Sequence, residues 1–247
     1  SHTNFFTVYR LEQLGLVKLK HDSNYLACAA QSLTSVAGMA DFIAASPQLI
    51  QDVIDILKSP LSLRAMAIAV SPDSNAAPLN EQKTSFVEFC SEVPSQNEHA
   101  NRWLNCIQFL AEKNIITNDT VIESSFSQLF SASEIPETKK NSWAPSESTT
   151  DFLIALHDRI AVDKSNLSNR YIPLIAASNT AIASYAMNNL LNTPTDKLVL
   201  TNVLSYLPMV FNTRSKELSD LAFKLLKKLE PRAMEKQELY DDAVLSA

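Results

Sequence analysis

Apolar side chains along this chain return every three or four residues, the period of a helical face, and almost never in strict alternation. Ser46-Pro47 supplies a capping hydroxyl and a proline suited to a first helical turn, and Leu49, Ile50, Val53, Ile54 and Leu57 follow it. A helix is predicted there, with Gln51, Asp52, Asp55 and Lys58 on its other face. Ser59-Pro60 repeats the start for a short helix through Met66 and Ile68, and Thr193-Pro194 is a third place where a helix can begin. Residues 4–19 predict a helix ending near Gly15, and the small residues from Tyr25 to Ala40 predict a central helix approached closely by its neighbours. Further helices are predicted over 80–92, 97–113, 118–130 with Asn118-Asp119 as cap, and 149–162, and a charged one from Pro231.

One phrase occurs twice. Tyr171-Ile172-Pro173-Leu174-Ile175 returns thirty-five residues later as Tyr206-Leu207-Pro208-Met209-Val210. Without a gap, Ala183, Ala186, Met187, Leu190 and Leu191 then fall on Leu218, Leu221, Ala222, Leu225 and Leu226, so two consecutive helix pairs follow one plan. Self-similarity at such a period marks stacked helical units, each burying one flank against the next and leaving a long curved surface for partners.

Composition narrows the class. Only Gly15 and Gly38 are glycines in 247 residues, which argues against hairpin-rich β folds and phosphate-cradling loops. The expectation is an all-α protein, a right-handed α-solenoid of about five stacked helical hairpins with a core drawn from 46% hydrophobic residues. Turn formers over 71–80 and an irregular stretch over 133–149 divide it into repeats over 3–70, a middle section over 81–132, and repeats with a capping helix over 150–247, together one continuous domain.

The stretch Ala29-Ala30, Leu33, Val36-Ala37, Phe42-Ile43, then Leu49-Ile50, Val53-Ile54 and Ile56-Leu57 resembles the end of one armadillo unit running into the next. Ser46-Pro47 stands where armadillo units commonly have glycine. The later pair is similar to HEAT units through Pro173 and Pro208, without their usual Asp and Arg at the turn apart from Arg214. This resemblance is to the superfamily and brings no functional residue with it. Trp103, Leu104, Phe109, Leu110, Ile115 and Ile116 faintly resemble the middle domain of translation-initiation scaffolds, which implies RNA or its protein machinery as the alternative partner.

Charge and chemistry point away from catalysis. A net charge of −6 disfavours nucleic acid, whose affinity rests on Lys and Arg, while leaving room for a local basic stripe. Cys28, Cys90 and Cys106 are odd in number and widely spaced in apolar contexts, which predicts a reducing, cytoplasmic or nuclear setting, and the apolar neighbours of Cys90 and Cys106 predict that these two are buried thiols. No run approaches the ~18 apolar residues of a membrane span. No metal-ligand spacing, nucleophile elbow or nucleotide loop occurs, so neither metal nor cofactor is expected. His157, beside Asp158, reads as a surface histidine, and His99 beside Glu98 shares its handicap: adjacent helical residues point ~100° apart.

Candidate binding residues lie on the last strong helix. From Thr213 to Leu229 the core stripe is Leu218, Leu221, Ala222, Leu225 and Leu229, placing Lys216, Asp220, Phe223 and Lys227 on a different face. Phe223 either stands on a partner-binding ridge or packs against the helix from Pro231. Trp143, an aromatic in a polar loop, either tucks back onto the helices or anchors a partner. Lys224, Lys227, Lys228 and Arg232 form a basic cluster suited to an acidic peptide or to a helix C-terminus. The predicted function is a non-catalytic scaffold or adaptor that binds a peptide or protein.

Overall fold

The computed structural model describes residues 5–67, 96–133, 147–161, 163–213 and 215–247. These residues are helical and contain no strand, as the glycine-poor, helix-period sequence requires. Among them no helix is long and apolar enough to cross a membrane. The loop predicted over 71–80, the helix over 80–92 with Cys90, and Trp143 lie outside the described residues. Two compact units are present: residues 1–124 with 145–160, and residues 125–144 with 161–247.

The first unit begins with α1 (Phe5–Gln13). It ends where expected, and the reason is geometric: Gly15 sits at φ 69°, Gly15 N–H reaches the Glu12 carbonyl at 2.8 Å and Leu16 N–H the Leu11 carbonyl at 2.9 Å. That paired closure needs a left-handed residue, which glycine adopts at least cost. Next comes α2 (Ser23–Ser32), started by Asp22, whose carboxylate accepts from the Asn24 and Tyr25 amides. The expected helix to Ala40 is broken, because a 3₁₀ turn over Leu33–Ser35 leads to an extended Val36 and to Gly38 at φ 65° before α3 (Met39–Ala44). Ser46 and Pro47 start α4 (Pro47–Lys58) as predicted, with the Ser46 hydroxyl accepting from the Leu49 amide. Asp52 departs from its predicted polar face and is fully buried. It lies three residues after Leu49 and four before Ile56, inside the apolar stripe. Then α5 (Pro60–Ala67), α6 (Gln96–Glu112), α7 (Asn118–Ser133), which from Ser125 belongs to the second unit, and α8 (Glu147–Ile160) follow, the last two taking in Ser133 and residues 147–149 that were expected in a loop. Thr117, not Asn118, caps α7: its hydroxyl accepts from the Thr120 amide at 3.2 Å.

Helix α2 is central to this unit. It packs on α1, α4 and α5, and its Ala29 and Ala30 have no exposed surface. Such small side chains let neighbours approach: the fully buried Trp103 of α6 donates its indole N–H to the Ala30 carbonyl at 2.9 Å. Beside it, His99 bridges the Thr34 hydroxyl at 3.1 Å and the Ala65 carbonyl at 3.2 Å. His157 is also buried, contrary to its predicted surface position. Spaced by four from Leu153 and by three from Ile160, it shares their inward face on α8, which packs on α5 and α6.

In the second unit, α9 (Ser168–Tyr171) passes into a 3₁₀ segment over Ile172–Ala176 and forms a hairpin with α10 (Thr180–Asn192). Thr193-Pro194 then leads only into a 3₁₀ turn over Thr195–Lys197. A second hairpin pairs α11 (Leu200–Phe211) with α12 (Lys216–Leu229). Like packs on like: Ile172–Ala176 against α11, and α10 against α12. After a 3₁₀ stretch over Glu230–Lys236, α13 (Gln237–Leu245) also packs on α11.

Candidate partner-binding ridge

Helix α12 is built to hold one face down and leave another open. Ser215 caps it by accepting from the Leu218 amide, and Leu218, Ala222, Leu225, Leu226 and Leu229 are buried. Leu221, expected in that stripe, is only half-buried. Steps of four, three and four residues align Lys216, Asp220, Phe223 and Lys227 along one side, where all four are exposed. Phe223 is 48% exposed. Its ring meets Phe211 of α11 edge to face at 5.1 Å between centroids and 61° between planes. One flank of the aromatic is thus fixed while the rest faces solvent between two lysines and an aspartate.

The basic cluster divides in two. Lys224 and Lys227 are exposed, whereas Lys228 turns to the preceding hairpin and donates to the carbonyls of Leu190 (3.2 Å), Leu191 (2.6 Å) and Thr193. Those carbonyls lie at the end of α10, where helical donors run out; that of Leu190 also accepts the Thr193 amide at 3.2 Å, and a cation there meets the negative end of the helix dipole. Partial burial pulls the Lys228 ammonium below its ordinary value. Arg232 acts likewise on the Thr195 and Leu198 carbonyls, while Glu235 accepts from it at 2.7 and 2.8 Å. Carbonyls at the ends of α10 and of the Thr195–Lys197 turn, together with Glu235, engage these two cations.

A second constellation, which the sequence reading did not single out, lies in the first unit. His21 Nδ1 is 2.7 Å from Asp52 Oδ1 and His21 Nε2 is 3.0 Å from Glu12 Oε2. Asp52 further accepts from the Tyr25 hydroxyl at 3.1 Å and from Gln48 Nε2 at 3.0 Å, and Glu12 from the Leu19 amide at 3.0 Å. Burial, reinforced by the Asp52 charge, pushes the Tyr25 hydroxyl far above its usual value. Residues 12, 21, 25, 48 and 52 are too scattered for a spacing rule. The available signal was Asp52 itself, an acid at a core position that demands a partner.

Both nitrogens of His21 are engaged by carboxylates. Among the described residues no group of three or more His, Cys, Asp and Glu side chains is disposed to hold a metal ion. Cys106 is buried as expected, and burial raises its thiol to about 12, well outside a reactive range, whereas Cys28 is exposed. Searches with the whole chain find no matching protein-family model, curated protein or solved structure.

Proposed function

We propose that the chain is a non-catalytic scaffold of the armadillo/HEAT-like kind. In this reading its hairpins stack as a right-handed α-solenoid, and the α12 ridge receives a peptide or the surface of another protein. Phe223 carries the reading: a large aromatic, 48% exposed and steadied by Phe211, among Lys216, Asp220 and Lys227. An aromatic anchor rimmed by charges has the composition of a binding hot spot, the ring contributing apolar area and the rim setting orientation. Pairing of first members with first members and second with second across the two hairpins supports the stacked architecture.

The test is capture of proteins and RNA from a native lysate by the intact chain, followed by affinity measurement with the partner identified. Phe223→Ala combined with Lys216→Glu is expected to weaken protein binding by roughly 30-fold, the scale of a hot-spot loss, with helical circular dichroism unchanged. Equal affinity in the double variant removes the ridge from the reading. Capture of RNA with log affinity falling steeply against log salt replaces the protein partner with a nucleic acid.

A further inference from the structure

We propose that Glu12, His21 and Asp52 form a proton-controlled latch that straps α1 onto the body of the first unit, and that loss of one proton from His21 releases the Glu12 fastening and loosens α1. The strap has two fastenings. Near its start, Phe5 stacks at 6.0 Å with Tyr9 and meets Tyr25 at 5.6 Å; Phe6 and Tyr9 meet Phe42 at 6.3 and 6.5 Å. Tyr9 also shares a 2.8 Å hydrogen bond with the Ser46 hydroxyl. At the other end, Glu12 reaches His21, and His21 reaches Asp52 of α4.

Hydrogen-bond chemistry favours one protonation state, since the carboxylate contacts are the shorter ones and Gln48 Nε2, 3.2 Å from Nδ1, also donates to Asp52 at 3.0 Å. Ionised carboxylates only accept, so an imidazole that bonds one carboxylate through each nitrogen carries a proton on both and is an imidazolium. The groups facing it are Glu12 from α1, Asp52 and Gln48 from α4, and Tyr25 from α2, whose ring lies 4.1 Å away between centroids. Asp22, next in sequence, is turned to the α2 amides. The two acids differ in exposure, with side chains 18% exposed for Glu12 and 1% for Asp52. When His21 becomes neutral it keeps one N–H. The buried Asp52 retains that donor, because its desolvated charge has most to lose, and a lone pair then confronts Glu12. The bond that breaks is therefore the one to α1.

Burial works against the charge on His21, yet the hydrogen bonds and attraction of Asp52 and Glu12 together outweigh it and hold the imidazole above its ordinary 6.5. A raised folded value means the latch contributes fully below the unfolded value and is lost as pH rises through the folded one. His99 has the opposite sense: burial, with repulsion from Arg102 added, outweighs its bond to the Ala65 carbonyl and holds it below 6.5, so its contribution is lost on acidification. Above pH 6.5 the folded chain therefore keeps His99 largely neutral, and His21 is the histidine bonded to α1.

Amide hydrogen exchange of the intact chain, corrected for the intrinsic rate at each pH, reads the latch directly over residues 5–20. Exchange there is expected to rise from pH 6.5 to 9 with a slope of up to about tenfold per pH unit, the limit for release of one proton. Residues 47–58 serve as the internal reference. In His21→Gln the pH dependence disappears, and in Glu12→Gln, which keeps an acceptor but no charge, it shrinks. Wild-type exchange over 5–20 that is flat with pH overturns the latch, as does a slope retained in His21→Gln. Should His21→Gln lose its helical circular dichroism, the wild-type profile and Glu12→Gln decide alone.

Discussion

The phrase at 171–175 and its echo at 206–210 fold differently. Tyr171, Ile172, Leu174 and Ile175 are all buried, the Tyr171 ring lying 5.3 Å from Phe126 and 6.0 Å from Tyr185. In the echo Leu207 and Val210 are buried, but Tyr206 is half-buried and Met209 is 55% exposed. Backbone conformation differs too. Pro173 is the second residue of a short 3₁₀ segment, whereas Pro208 sits inside the continuous α11. The cause lies upstream: Val203 and Leu204 are buried before Pro208, where the first copy has Ser168 and Asn169. Two apolar anchors let α11 propagate through a residue that gives no N–H, while a single polar turn does not. Shared apolar residues thus pair the hairpins, and flanking residues decide how regular each one is.

Substitutions at matched positions break that comparison most sharply. Leu174→Ala empties a fully enclosed site and is expected to cost about 2–5 kcal/mol in urea unfolding, against a change within about 0.5 kcal/mol for Met209→Ala. Similar losses at the two positions would mean that the echo is enclosed in solution. Lys228→Met leaves the end of α10 without its charged donor, at an expected cost of about 1.5–3 kcal/mol and with faster amide exchange over 187–195. Smallest is the proline pair. Pro208→Ala returns a donor to a helix interior and should raise stability by about 1 kcal/mol, whereas Pro173→Ala should lower it by about 0.4–1 kcal/mol through the freer unfolded chain. A common sign would show that the two prolines occupy equivalent backbone.

What was legible in the sequence was short in range. Ser46-Pro47 declared its helix because capping needs only neighbouring residues, and the paired hairpins showed because apolar spacing repeats without gaps. The exposed side of α12 could be read for the same reason, from steps of three and four. Opaque to that reading were features settled across the fold. Asp52 and His157 lie at inward helical positions, but their polarity drew them to the surface on paper. The bend after Ser32 depends on Val36 and Gly38, where Trp103 and Arg102 of a distant helix bind the Ala30 and Val36 carbonyls. His21 acquires its meaning only when residues 12 and 52 are brought to it.

Lys228 has a consequence for how the second unit comes apart. Its ammonium belongs to one hairpin while the carbonyls it satisfies belong to the other, so unzipping either leaves bare polar groups on both. Fraying that starts at the end of α10 cannot remain a private event of that helix. The pair should melt as a single cooperative block, with Lys228 among the bolts across its seam.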